Sequence, residues 1–251
     1  MKGDEGTMAS PAVARPAAGD APVLEARGIM KEYDGETILA GCDLALRPGE
    51  VVAVVGASGE GKSTLLSILG LLLTPSAGQV LVDGRDATGL DDAGLSALRA
   101  RTFGFVFQHT QLIGSLRAID NVLVPACFGR ADMAGAAERA AELVERFGLL
   151  TRANHFPHQL SVGQKRRVAL ARALVLAPRL VVADEPTNDL DDATADTVAD
   201  ALRRFADEGH AVLCATHDAA LARSATRVLR LEGGLTSEIA PDEVREARRA
   251  C

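Results

Sequence analysis

The chain has 251 residues, 47% of them hydrophobic, and a formal net charge of −7; this length suits one large α/β domain, or two closely joined subdomains, around a full core. An acidic balance in which only four of the 27 basic residues are lysine argues against nucleic acid as a partner, because binding phosphates demands a basic face. The longest apolar run, Leu65 to Leu73, is broken by Ser67 and Gly70 and falls short of the ~20 residues that cross a bilayer, so no direct membrane insertion is expected.

Residues 1–21 are rich in Ala, Pro, Gly and Asp without periodicity and are expected to form a disordered tail. From Pro22 to Glu50, apolar stretches around Val23–Ala26 and Ile38–Leu46 are punctuated by Asp34-Gly35 and Pro48-Gly49, which predicts a small antiparallel sheet. Val51 to Val55 is unbroken apolar, the pattern of a strand buried on both faces. A helix is expected from Ser63 to about Leu72, a short strand between Gly78 and Gly84, a helix over Leu95–Arg101 and a strand over Phe103–Phe107.

Residues 109–178 show no strand pattern and read as an inserted helical subdomain; within it, Ala137, Ala140, Ala141, Val144 and Phe147 fall at helical spacing. Strand signals resume at Leu180–Ala183 and Ala211–Ala215, with a helix over Ala193–Ala206 between them, so the chain returns to a βαβ pattern. A last strand is expected over Thr226–Leu231 before the Gly233-Gly234 turn, followed by a charged, helical tail over 237–251. Cys42, Cys127, Cys214 and Cys251 have no paired spacing, and the N-terminus lacks a basic start followed by an apolar block; both features predict a reducing, cytoplasmic setting.

Between the Val51–Val55 strand and the helix lies Gly56-Ala57-Ser58-Gly59-Glu60-Gly61-Lys62-Ser63, followed by Thr64. This G-x-x-x-x-G-K-[ST] pattern lets backbone N–H groups curl round a β-phosphate at a helix start, with Lys62 on the β/γ oxygens and the Ser63 hydroxyl on Mg²⁺. Alone it signifies a nucleoside-triphosphate binder of some kind, since kinases, GTPases and helicases share it. The apolar strand Leu180–Ala183 then ends in Asp184 and Glu185. At the carboxyl end of a parallel strand, where such sheets hold ligands, Asp184 suits an Mg²⁺ shell and Glu185 can take the proton from an attacking water. The competing reading is that the pair caps a helix.

Leu160-Ser161-Val162-Gly163-Gln164, continued by Lys165 to Leu174, resembles the LSGGQ signature of ABC ATPases, and Ala183-Asp184-Glu185-Pro186-Thr187-Asn188-Asp189-Leu190-Asp191 is similar to their Walker B and D-loop. The resemblance covers roughly residues 22–236. It implies an α/β fold: a P-loop NTPase core with a mainly parallel sheet flanked by helices, an N-terminal antiparallel β subdomain and an inserted helical subdomain. It also implies that Gln108 is the Q-loop glutamine near Mg²⁺ and water, that His217 contacts the γ-phosphate, and that Tyr33, the single tyrosine, stacks on adenine. ATP would be held by residues 56–64 of one chain and, in trans, by Ser161, Gly163, Gln164 and Asp191 of a second, in a homodimer or heterodimer. Val162 stands where the family has its first signature glycine.

Gly104–Gln108, Leu112–Leu116 and Asn121-Val122 resemble the lipoprotein-release and macrolide-export branch of that family. The resemblance therefore implies a separate transmembrane permease and a peripheral place on the inner face of the cell membrane. An amino-acid uptake ATPase, or a soluble ABC ATPase of the iron–sulfur assembly kind, is the alternative.

Overall fold

The computed structural model describes residues 21–128 and 132–244. The expected N-terminal tail, apart from Ala21, and positions 245–251 of the expected C-terminal tail lie outside them.

Strands β1 (Leu24–Tyr33) and β2 (Glu36–Leu46) pair antiparallel through a two-residue turn. Asp34 and Gly35 both take positive φ, 49° and 84°, which matches the right-handed twist of the strands they join. Two further strands, β4 (Ala77–Val82) and the short β5 (Arg85–Asp86), complete a four-stranded antiparallel sheet in the order β2-β1-β4-β5. The second sheet has six strands, β10-β9-β3-β8-β7-β6, formed by β3 (Val51–Val55), β6 (Phe103–Val106), β7 (Leu180–Asp184), β8 (Ala211–Ala215), β9 (Arg227–Glu232) and β10 (Leu235–Ile239). Its pairings are parallel except for β10 on β9.

The unbroken apolar strands follow from what covers each face. Val51, Ala53 and Val55 of β3, with Val181, Ala183, Val212 and Cys214, join the core that contains α3 (Ala118–Leu123), α4 (Met133–Arg146), α5 (Val162–Leu174), α6 (Asp192–Asp207) and α7 (Ala219–Ser224). The alternate residues Val52 and Val54, with Leu180, Val182, Leu213 and Ala215, join a second core with α1 (Lys62–Leu69) and the antiparallel sheet. Neither face meets water, so neither can carry polar residues. Helix α2 (Asp92–Thr102) lies between β5 and β6, its first turn capped by the Asp91 side chain, which accepts from Gly94 N–H.

Several boundaries differ from expectation. α1 stops at Leu69, short of Leu72: a Cβ on Gly70 would lie 2.7 Å from the Phe105 ring, and Leu71 turns left-handed at φ 59°. In α4 the buried row is Ala136, Ala140, Leu143, Val144 and Phe147, while Ala137 and Ala141 are exposed. The large Leu143 turns the helix by about one position, because burying its side chain outweighs burying another alanine. Where the charged tail was expected, β10 adds an edge strand, closed by Arg227 Nη2 donating to Glu238 at 2.9 Å. Among the described residues, positions 109–178 contain helices and turns and no strand, as the sequence pattern predicts.

Candidate functional site

The phosphate loop folds where β3 ends and α1 begins. Gly61 sits at the helix start in the left-handed region (φ 92°) with no side chain capping the first turn, so the leading N–H groups of α1 face outward. Two glycines are required by contact: a Cβ at Gly56 would stand 2.5 Å from the Leu231 carbonyl, and one at Gly61 would stand 2.8 Å from Ile38. The Lys62 ammonium curls back to donate to the Gly56 and Ala57 carbonyls at 2.9 and 2.8 Å, which places the positive charge inside the loop.

A cleft of about 350 Å³ opens over this loop, lined by Ser58, Gly59, Gly61, Lys62, Ser63 and Thr64, by Tyr33 and Ile38 from the antiparallel sheet, and by Gln108 and Glu185 from the ends of β6 and β7. Parallel strands all point their carboxyl ends to one edge, so residues far apart in sequence meet there. Tyr33 is 45% exposed and presents its ring with Lys31 Nζ 5.0 Å from the ring centroid.

Asp184 and Glu185 divide in environment. Burial pushes the Asp184 carboxyl above its usual range; a Ser63 hydroxyl bond opposes this, neighbouring Glu185 adds to it, and Lys62 opposes it. Asp184 Oδ1 is buried with no hydrogen-bond partner among the described residues. An orphaned carboxylate oxygen beside a serine hydroxyl fits Mg²⁺, which takes one or two protein oxygens and completes its octahedron with phosphate and water. Among the described residues no cluster of three acidic, His or Cys side chains competes for a metal.

Glu185 adopts φ 47°, a region that residues other than glycine seldom enter. Its N–H donates to the Ala215 carbonyl and its carbonyl accepts from Asn188 N–H, which fixes that turn. His217, just beyond β8, donates to Glu185 Oε2 twice, from its backbone N–H at 3.2 Å and from Nδ1 at 2.9 Å with the proton on that nitrogen. Thr187 donates to Asp218 at 3.1 Å and ties the two loops together. The alternative that Asp184 and Glu185 cap a helix is overturned: α6 is capped by Asp191, whose carboxylate accepts from Thr194 N–H and Oγ1.

Ser161, Gly163, Gln164 and Asp191 do not line the cleft. Ser161 is the N-cap of α5 in a reciprocal capping box with Gln164: Oγ accepts from Gln164 N–H at 3.2 Å, and Ser161 N–H donates to Gln164 Oε1 at 3.0 Å. Ser161 is exposed and Val162 is 56% exposed, while a Cβ on Gly163 would lie 3.2 Å from Thr194 of α6. The starts of α5 and α6 thus share one open surface. Glu60 also leaves the cleft, its carboxylate accepting from Gly233 N–H at 3.0 Å. Sequence reasoning missed Arg166, a charged side chain only 3% exposed. Its signal was position: it falls in the same helical row as the buried Ala169, Leu170 and Ala173.

Comparison with known proteins agrees with this geometry. Residues 39–188 match the family model described as ABC transporter. The lipoprotein-releasing system ATP-binding protein LolD of Roseobacter denitrificans is 45% identical over 224 residues, covering 87% of this chain and 99% of that protein. The macrolide export ATP-binding/permease protein MacB 1/2 of Paracoccus denitrificans is 45% identical over 218 residues, covering 85% of this chain and 33% of the relative. Among solved structures, the ATP-binding cassette MJ0796, a dimer in a post-hydrolysis state bound to ADP and Pi, superposes with a TM-score of 0.81 at 36% identity, covering 87% of this chain and 98% of that one. With a family match over more than half its length and relatives of this identity, the chain belongs to the ABC transporter family as an ATP-hydrolysing subunit, alongside the ATP-binding proteins of lipoprotein-releasing and macrolide-export systems.

Proposed function

We propose that two copies of this ATPase close head to tail around two Mg-ATP molecules and so drive a separate transmembrane permease of the lipoprotein-release or macrolide-export type. One observation carries the dimer. The cleft assembles Lys62, Ser63, Gln108 and Glu185 from one chain, whereas the Ser161 end of α5 is exposed and lies outside that cleft. A helix start that offers N–H groups and a hydroxyl suits an anion, and the γ-phosphate held by a second chain is the anion within reach of such an arrangement.

In the closed pair, Tyr33 stacks on adenine, residues 56–64 wrap the phosphates and Lys62 neutralises the β/γ oxygens. Ser63 and Asp184 would hold Mg²⁺, which supplies charge neutralisation on the transferred phosphoryl group. Glu185 receives the proton of the attacking water, with its second oxygen held by His217. Asp191 keeps the start of α6 rigid beside Gly163.

The permease reading is supported by a second groove, of about 460 Å³, lined by Leu72, Phe105, Phe107, Val124, Pro125 and Phe128 among others, with Phe128 79% exposed. An apolar groove beginning one residue from Gln108 suits a helix of a partner protein. No helix among the described residues is long and apolar enough to cross a membrane, so the proposed place is peripheral, on the cytoplasmic face of a membrane, through that partner.

Complementation tests the arrangement. Lys62→Ala and Ser161→Arg chains should each be inactive alone. Mixed, they should regain about a quarter of wild-type ATPase activity, because half the pairs are mixed and each carries one intact site built from both chains. A mixture as inactive as its parts would refute the trans site.

A further inference from the structure

The loop that follows β6 makes no strand or helix of its own, so its carbonyls need partners from elsewhere. Helix α5 supplies them through two arginines. Arg166 Nη1 donates to the Phe107 and Gln108 carbonyls at 2.9 and 2.8 Å, and its Nη2 reaches the Asn188 carbonyl at 3.4 Å. Arg172 donates to the Thr110 and Gln111 carbonyls at 2.7 and 2.9 Å. The loop carrying Gln108 is thereby fastened to the helix whose first turn carries Ser161.

The chemistry of Arg166 is unusual for a buried charge. The residue is 3% exposed, and none of the ion pairs among the described residues includes it. Its Nε has no partner among those residues. Burial disfavours this cation, and although the nearby Asp189 and Glu185 carboxylates oppose that effect, neither pairs with it directly, so the burial is costly. A planar fork of donors, however, can hold carbonyls from two loops at fixed relative positions, which a flexible ammonium cannot. Ser161 lies five residues before Arg166, about 7.5 Å along the helix axis, so little play separates the clamp from the exposed helix end.

We infer that Arg166 is a positioning residue for ATP hydrolysis: it locks Gln108, which lines the cleft of its own chain, to the Ser161 helix end that serves the partner's cleft, with the Asn188 carbonyl as third anchor. One chain's two half-sites are then set relative to each other through Arg166, the one of the two arginines that bonds Gln108 itself, so that a displacement of the Gln108 loop is carried into the other site. This inference rests on the head-to-tail dimer proposed above.

The test uses the full-length Lys62→Ala and Ser161→Arg mixture, in which the active site takes its cleft from the Ser161→Arg chain and its helix end from the Lys62→Ala chain. Arg166→Met is placed on one chain or the other, and turnover at saturating ATP is measured together with the Tm of each chain and, for the Ser161→Arg chain that keeps its cleft, the affinity for a fluorescent ATP analogue. Both placements should lower turnover tenfold to a hundredfold, the scale of an ångström-sized misplacement, with analogue affinity within about twofold of its parent. Arg166→Lys, which keeps one contact, should show a smaller loss at both placements and is read in the same way if the Met chain does not fold. Loss only when the cleft-donating chain is altered would overturn the inference, since Arg166 would then serve Gln108 alone. Unchanged turnover, or a loss that follows analogue affinity, would overturn it as well. Failure of the parent mixture with Arg166 intact would instead remove the dimer reading beneath it.

Discussion

Replacing Glu185 with Gln probes the proton-accepting step with little change in shape. The backbone of this residue is held by Ala215 and Asn188 regardless of side chain, and an amide oxygen can accept from His217 as the carboxylate Oε2 does at 2.9 Å. What the amide cannot do is take a proton from water. General-base assistance contributes roughly 10²–10⁴ in rate, which at about 1.4 kcal/mol per tenfold is about 3–5 kcal/mol of transition-state stabilisation. We therefore expect kcat to fall by about 10²–10⁴ with KM little changed, while the ATP-bound dimer persists because closure precedes chemistry. Phosphate release at saturating ATP measures the first quantity, and size-exclusion chromatography with and without Mg-ATP measures the second. Turnover within about threefold of wild type would refute the assignment of Glu185 as base, since removing a general base costs far more than that.

Val162→Gly should leave ATPase activity unchanged or raise it, because the valine side chain is 56% exposed in the first turn of α5; a tenfold loss would show that valine makes a contact in the closed dimer. Gly104→Ala should destabilise: the new Cβ would stand 2.2 Å from the Ala173 carbonyl and 3.0 Å from Pro178, and forcing β6 from α5 costs about 1–3 kcal/mol. At about 2–4 °C per kcal/mol for a chain of this size, thermal melting should register a drop of several degrees, and an unchanged Tm would contradict the contact. The hydrogen bond from Arg227 holds the Glu238 carboxyl below its ordinary range, with burial opposing and Arg227's charge assisting. Its contribution to stability is complete above the unfolded value of about 4.3 and fades as pH falls through the lower folded value. Glu238→Gln should therefore lose less stability than wild type on acidification through that window; parallel losses in denaturant titrations would refute the linkage.

Much of this molecule is legible in one dimension because its signals are local. The Asp34-Gly35 hairpin needs positive φ at both positions, and Asp and Gly tolerate it. Strands β3 and β8 are continuous apolar runs bounded by polar residues, and their limits, Val51–Val55 and Ala211–Ala215, match the pattern residue for residue. The phosphate loop and the Asp184-Glu185 strand end are contiguous motifs, so their chemistry travels with the sequence.

Other features depend on neighbours remote in the chain. α1 ends at Leu69, where Gly70 caps it and Leu71 turns left-handed, and the Phe105 ring that requires glycine at this cap comes from a strand remote in the chain. β10 exists because β9 leaves an open edge and Arg227 meets Glu238 across it; read alone, Leu235–Ile239 is an unremarkable polar stretch. The sequence by itself determined the alternation of strand and helix, the phosphate loop and the family, since periodicity and contiguous motifs need no knowledge of distant contacts. Only the tertiary structure decided that Glu60 turns to Gly233, that Arg166 is buried among loop carbonyls, and that the Ser161 helix end lies open and apart from its own chain's cleft. Each of these is a relation between segments brought together by packing, and packing is fixed by the whole core at once.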